Sequence, residues 1–141
     1  MEALYKFVSG ATAAIVALFA PVAPLIGCTL LFIGIDFLSG VAADRQTAKR
    51  EGRDWYFESH LARHTVMKAA LCIVTLAMAW LLDSCVLDFL HLRIAHLFAG
   101  FTCGVELWSF LENAAQLSDA PLFRWLRQYV RRRIRKEVGG E

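Results

Sequence analysis

The sequence "FVSGATAAIVALFAPVAPLIGCTLLFIGI" occupies residues 7–35 and contains no charged side chain. As one straight helix it would extend about 43 Å, at roughly 1.5 Å per residue, whereas the hydrocarbon core of a bilayer is about 30 Å thick. Its apolar composition therefore predicts that this part of the chain lies in a membrane. Its excess length predicts a break within the stretch.

Two prolines mark the place of the predicted break. Pro21 and Pro24 frame the sequence "PVAP", midway along the uncharged stretch. Proline lacks a backbone donor and disfavours helix in the residue before it. We therefore predict two membrane-spanning helices, over residues 3–20 and 24–42, joined by an outer turn. The alternative for the first helix is a position in the membrane interface.

The remainder of the chain alternates apolar and charged blocks. Of its 141 residues 57% are hydrophobic and 20% are charged. Two further apolar stretches predict spans over residues 66–82 and 89–109, which the acidic turn "DSCVLD" joins. Between the two pairs of spans lies a polar segment at 43–65 that mixes both signs of charge.

The distribution of basic residues predicts the orientation. Lysine and arginine favour the cytoplasmic side of a membrane, and both predicted outer turns lack them. The polar segment and both chain ends are therefore predicted inside. The sequence predicts an all-α integral membrane domain of four spans over residues 1–117, followed by a cytoplasmic tail at 118–141.

The tail is predicted to form a basic amphipathic helix. It begins with "SDAP", in which Ser118 or Asp119 can cap a helix. Apolar and basic residues then fall on opposite sides, which is typical of a helix that lies on an anionic inner leaflet. The residues predicted to contact the membrane surface are Arg124, Trp125, Arg127, Arg131 and Arg132. Because Trp125 and Tyr129 suit a lipid interface, no nucleic acid partner is expected.

Ionisable residues near the inner ends of the spans predict a polar cluster. Asp36, Lys68 and Glu106 fall at the same predicted level. Charges at such depth are costly and usually face protein or water. The cluster would therefore lie at the mouth of a pore, or would be an ion pair that fixes helix packing.

The last predicted span carries two further patterns. His96 shares a helical stripe with small and polar residues, which favours contact with protein or a wet lumen over contact with lipid. Gly100 and Gly104 form a G-x-x-x-G pattern that allows close helix approach. These patterns suggest a homo-oligomer.

Enzyme chemistry has little support in the sequence. Glu106 and Glu112 are six residues apart and point to different sides of a helix. His60 and His64 have a spacing that can hold a metal, but no third ligand is evident. No Cys-x-x-Cys pair and no glycine-rich phosphate loop occurs. We predict no catalytic, cofactor-binding or metal-ligating residue, and no cofactor.

Two motifs resemble those of a known family. "IDFLSGVAA" at 35–43 resembles the Asp-x-x-[Ser/Thr]-Gly motif of the phage holin and toxin-secretion holin family. "ELWSFLENAAQL" at 106–117 resembles that family's Glu-x-x-Ser-x-x-Glu-Asn motif. The matching residues are Asp36, Ser39, Gly40, Glu106, Ser109, Glu112 and Asn113. The resemblance covers about residues 20–118. The chain departs from the family in its longer aromatic loop, in Ser118 and Asp119 where members often have glycine, and in its arginine-rich tail.

The resemblance implies a function. Holins accumulate in the bacterial inner membrane, oligomerise and permeabilise it, and so release a muralytic enzyme or a secreted protein. Glu112 and Asn113 are expected to act as polar anchors at the end of the last span. Two alternatives remain: a non-lytic oligomeric channel or anchor subunit that docks a cytoplasmic partner, and a membrane-damaging effector of cell death or phage defence.

Overall fold

The fold is all-helical throughout the described part of the chain. The computed structural model describes residues 1–57 and 59–118, and in the tail residues 121, 123, 125, 126, 128, 129, 131 and 132. Within these residues there is no strand. The all-α class predicted from the apolar blocks is confirmed.

Four long helices dominate the described part of the chain. They are α1 (Glu2–Phe19), α2 (Ala23–Glu51), α3 (Ser59–Leu81) and α4 (Ile94–Leu117). A short 3-10 segment, Ala20–Val22, joins α1 to α2. Three helical stretches are long and apolar enough to cross a membrane: Glu2–Glu51, Ser59–Val86 and Ile94–Leu117.

The predicted outer turn at "PVAP" is wrong. Phe19, Ala20, Val22 and Ala23 all have backbone angles in the right-handed helical region, so the chain continues from α1 into α2 without reversing. The prolines lie in the first turn of their helical segments, where a missing N–H breaks no intrahelical bond. The structure therefore has one interrupted helical stretch of 50 residues where the sequence predicted spans at 3–20 and 24–42.

The other predicted span boundaries also differ from the ends of the helices. The helix α2 runs on to Glu51 and α3 already begins at Ser59, so most of the predicted polar segment at 43–65 is helical. Gly52 ends α2 with a φ of 67°, a left-handed conformation that glycine adopts without strain. The last helix runs over Ile94–Leu117 instead of 89–109. Charged side chains do not end a helix, whereas they do end a hydrocarbon-facing stretch.

An aspartate stabilises the turn that precedes α4. Asp83, just after α3, accepts hydrogen bonds from the backbone N–H groups of Ile94 and Ala95, both at 2.9 Å. The first N–H groups of a helix have no intrahelical acceptor, so this carboxylate satisfies two of them. His91 and Arg93 in the turn both have positive φ, at 50° and 53°.

The helices α2, α3 and α4 pack together, and α1 extends away from them. The most extensive contact is between α2 and α4, and α3 packs against both. Val22, Leu76 and Ala99 form a small buried core. No residue of α1 is buried. Large apolar side chains are exposed along all four helices, as expected where lipid replaces water as the solvent.

The absence of a chain reversal between α1 and α2 predicts where the N-terminus lies. With α2, α3 and α4 as three crossings and the tail inside, residue 3 lies outside, whereas the predicted hairpin would place it inside. In a variant without native cysteines, we expect Ala3→Cys to react with a membrane-impermeant maleimide applied to intact cells at low expression.

Two reference positions calibrate the labelling. Ser84→Cys, in the outer turn, should react from outside, and Asp54→Cys should react only after the membrane is opened. Reaction of Ala3→Cys only after opening would contradict the three-crossing arrangement.

Candidate functional site

Three charged side chains meet between the helices, one from each of α2, α3 and α4. The Lys68 Nζ atom lies 2.8 Å from Glu106 Oε2 and 3.9 Å from Asp36 Oδ2. The side chain of Glu106 is 4% exposed and that of Asp36 is 15% exposed, whereas that of Lys68 is 44% exposed. The predicted polar cluster is thus an interhelical ion-pair network.

The network explains how a carboxylate can be buried at this place. An isolated charge loses several kcal/mol of hydration when it enters an apolar interior, and a hydrogen-bonded counter-charge offsets that loss. Glu106 has such a partner in Lys68. The two carboxylates and one ammonium give the network a formal charge of −1 when all three are ionised. Removing Lys68 would leave two acids together in apolar surroundings.

A second set of hydrogen bonds joins α2 to α4. The Asn113 amide donates to Ser39 Oγ at 3.0 Å, to Asp36 Oδ1 at 3.2 Å and to the Asp36 carbonyl at 3.5 Å. Ser39 Oγ in turn donates to the Asp36 carbonyl at 2.8 Å. Asp36, the first residue of one motif, is therefore bonded to Asn113, the last residue of the other. Asn113 thus acts across two helices, beyond the helix-end role expected from sequence.

Gly40 contributes the space for this contact. A Cβ atom built on Gly40 would lie 3.5 Å from Asn113 Nδ2, which is ordinary van der Waals contact. Alanine would fit, and a longer side chain would displace the amide. Ser109 lines a cleft of about 360 Å³ beside Asp36 and Asn113. Glu112 is half-buried, and the described part of the chain gives it no hydrogen-bond partner.

The polar stripe of α4 lies mainly against α2. Ala99 and Glu106 are buried, and Cys103 Sγ lies 3.9 Å from Thr29 Oγ1 of α2. His96, at the outer end of the stripe, is exposed in a cleft of about 520 Å³ that Asp83 also lines. The sequence left open whether this stripe contacts protein or lines a wet lumen. Within one chain, the middle and inner parts of the stripe contact protein.

The glycine pair of α4 makes no helix contact within the described chain. Gly100 and Gly104 are exposed, and a Cβ atom built on either would meet no atom within 4 Å. A close approach of α4 to another copy at this place stays a prediction.

The tail is described only in part. Trp125 and Tyr129 stack with ring centroids 5.6 Å apart, and both are exposed. Arg131 and Arg132 are exposed on helical residues. The predicted surface residues Arg124 and Arg127 lie outside the described residues. Contact between the tail and a membrane stays a prediction.

No metal site is visible in the described part of the chain. Groups of three or more histidine, cysteine or acidic residues suited to a metal do not occur there. The His60 and His64 rings pack edge to face, with centroids 5.9 Å apart.

Sequence reasoning placed the three charges at one level but missed the bonds that join the two motifs. The signal was present in the spacing. Asp36, Ser39 and Gly40 fall on neighbouring turns of one helix, and Glu106, Ser109 and Asn113 do so on another.

Comparison with protein families decides the relationship. The family model described as "Bacteriophage holin family" matches residues 13–132, which contain both polar motifs and all of α2, α3 and α4. The chain belongs to the bacteriophage holin family. No curated protein and no solved structure matches it. In this member of the family, Asp36, Ser39, Glu106 and Asn113 of the two motif-like stretches take part in the interhelical bonds. Three of its helical stretches are long and apolar enough to cross a membrane.

The Asn113 contact predicts a graded effect of substitution. Asn113→Ala should lower the free energy of unfolding in detergent by about 1 kcal/mol, because interhelical hydrogen bonds in membrane proteins contribute about 0.6 kcal/mol on average and about 1.7 at most. Asn113→Asp should cost more, since it places a second carboxylate against Asp36. Thermal unfolding of the purified protein measures both effects.

Gln116→Ala provides the matched control, because it removes an amide from the exposed side of the same helix. It should leave stability almost unchanged. If Asn113→Asp proved as stable as Asn113→Ala, the carboxylate contact would be absent in solution.

Proposed function

We propose that this holin oligomerises in the bacterial inner membrane and permeabilises it, so that a muralytic enzyme or a secreted protein is released. The observation that carries the proposal is the meeting of both motif-like stretches in one partly buried polar network between otherwise apolar helices. Burial of ionisable side chains in a membrane is energetically unfavourable, and such side chains usually have a functional role there.

Exposed helix surfaces support association between copies. The exposed side of α4 combines Gly100 and Gly104 with the large apolar side chains of Leu97, Phe101 and Val105. Small residues let helix backbones approach closely, and neighbouring large side chains then gain packing contacts. The apolar helix α1, which precedes the first of the three crossings, offers a second surface for contact between copies, since none of its residues is buried.

The polar network supplies a rigid unit and a polar surface. Bonds from Lys68 and Asn113 hold α2, α3 and α4 together, so copies associate as preformed bundles. Beside these bonds, Asp36, Ser109 and His64 line the open cleft of about 360 Å³. In an assembly whose clefts face a common axis, these side chains would contact water, and the apolar surfaces would remain in lipid.

The inner membrane is the proposed location because of the charge distribution. The basic residues of the tail and of the end of α2 favour the cytoplasmic side. The tail residues Trp125, Arg131 and Arg132 would then lie against the anionic inner leaflet.

A second candidate function is a non-lytic channel or anchor subunit. Tyr56 and Phe57, in the segment after α2, are exposed at 76% and 49%, which suits the docking of a cytoplasmic protein. This function predicts a protein partner in fixed proportion and no collapse of the membrane potential. An effector of cell death or phage defence would give the same membrane damage as a holin without release of a dedicated enzyme.

Membrane potential and leakage of a cytoplasmic enzyme test the proposal after induction in bacteria. We expect abrupt depolarisation followed by enzyme leakage for the unmodified protein. Asp36→Asn and Glu106→Gln should delay or abolish both events at equal protein level, because each removes a charge that Lys68 pairs.

Asp54→Asn is the matched control, since Asp54 is an exposed acid outside the network. It should behave like the unmodified protein. An intact potential at high expression of the unmodified protein would contradict the holin proposal, and co-purification of one fixed partner would favour the anchor.

A further inference from the structure

A second cleft lies at the end of α2 that the charge distribution predicts to be cytoplasmic. It has a volume of about 900 Å³, and none of Asp36, Lys68 and Glu106 lines it. Three basic side chains line it, Arg45, Lys49 and Arg50, and we call these the rim. The apolar lining residues Leu38, Val41 and Ala42 of α2 are called the floor. Asp36 and Ser39, which bond Asn113, do not line this cleft.

The composition of this cleft changes from apolar to basic within one helical turn. Leu38, Ala42, Arg45 and Lys49 recur at intervals of three or four residues, so they share one face of α2. The distance along the helix from Leu38 to Lys49 is about 17 Å, at roughly 1.5 Å per residue. The same change, from hydrocarbon to phosphate, occurs over a similar depth in one leaflet of a bilayer.

The basic rim is not neutralised by the acids beside it. Asp44 and Glu51 both bond to Arg53, at 3.1 and 2.9 Å. The hydrogen bonds to Glu51 and to Asp44 raise the pKa of the Arg53 guanidinium, which is the ordinary effect of two adjacent carboxylates. These two carboxylates are thus paired with Arg53, which does not line the cleft.

The rim cations themselves face neutral groups. The Arg45 guanidinium lies 5.9 Å from the centroid of the Trp55 ring, and Arg50 donates to the Gln116 carbonyl at 3.5 Å. The described part of the chain gives Lys49 no anionic partner. A cluster of cations without counter-charges is a site for an anion supplied from outside.

We propose that this cleft binds one anionic phospholipid, with its phosphate between Arg45 and Lys49 and an acyl chain along Leu38 and Ala42. Basic clefts between membrane helices on the cytoplasmic side are suited to anionic headgroups. Arginine and lysine supply charge-assisted bonds to phosphate oxygens. Trp55 takes the interfacial position that tryptophan favours.

The occupant is lipid for two physical reasons. The chain's own tail is rich in arginine, so the rim repels it. A free phosphate or a nucleic acid would use the rim alone and gain nothing from the apolar floor, whereas a phospholipid satisfies both halves.

Occupation of the cleft should strengthen the contact between α2 and α4. Gln46 Nε2 donates to the Leu117 carbonyl at 3.4 Å, and Arg50 bonds the neighbouring carbonyl of α4. Leu117 and Gln46 also line the cleft. Because the lipid binds the folded state at this junction, it should raise the unfolding temperature.

Thermal unfolding of the full-length protein in neutral detergent tests the proposal. Added phosphatidylglycerol should raise the midpoint, and phosphatidylcholine with the same acyl chains should not. Glycerol phosphate at equal concentration should also have no effect, which separates a lipid site from a phosphate site. In Arg45→Gln/Lys49→Gln the apparent affinity for phosphatidylglycerol should fall about thirtyfold, the effect expected for two basic residues.

Two further variants keep the test decisive. Arg63→Gln/Lys6→Gln removes the same charge from exposed positions outside the cleft and should retain the lipid response. Ala42→Trp keeps every charge and fills the floor, so it should lose the response.

Three results would overturn the proposal: an equal midpoint shift with phosphatidylcholine, an equal loss in the control double variant, or a full response to glycerol phosphate. Permeabilisation does not enter the measurement, so the outcome is independent of the proposed function.

Discussion

The ion pair between Lys68 and Glu106 is the interaction on which the helical arrangement depends. It joins α3 to α4 at 2.8 Å, and Asp36 brings α2 to the same ammonium group. In a membrane the hydrophobic effect does not hold helices together, because lipid is as apolar as their surfaces. Packing and polar contacts must do so instead. Among the described residues, the buried apolar cluster of Val22, Leu76 and Ala99 is small, which makes the polar network proportionately important.

The two stretches that resemble holin motifs acquire a physical meaning from this network. Asp36 and Ser39 supply acceptors, Asn113 supplies the shared donor, and Gly40 allows the approach. The motifs therefore specify how α2 and α4 dock. This leaves the outer surfaces of the helices free for lipid and for other copies, which is the arrangement that the proposed assembly would require.

The sequence predicted the composition of the fold better than its connections. Uncharged stretches placed the membrane helices, because burial in hydrocarbon excludes charge. The same reasoning failed at Pro21 and Pro24, because proline is compatible with the first turn of a helix. Hydropathy shows that a stretch is apolar, but it does not show whether the chain reverses within it. The sequence did predict that Asp36, Lys68 and Glu106 lie at one level of the bundle, because all three fall near the inner ends of predicted spans. The bonds of Asn113 were not, because they depend on the rotation of α4 against α2, which packing decides.

A double-mutant cycle measures the central interaction most directly. The free energies of unfolding of Lys68→Met, Glu106→Gln and the combined variant would be compared with that of the unmodified protein in the same bilayer or detergent. Because each single change leaves a partner uncompensated, we predict a coupling of about 1 kcal/mol or more. Additive effects, with a coupling below about 0.5 kcal/mol, would contradict a network that holds the three helices together.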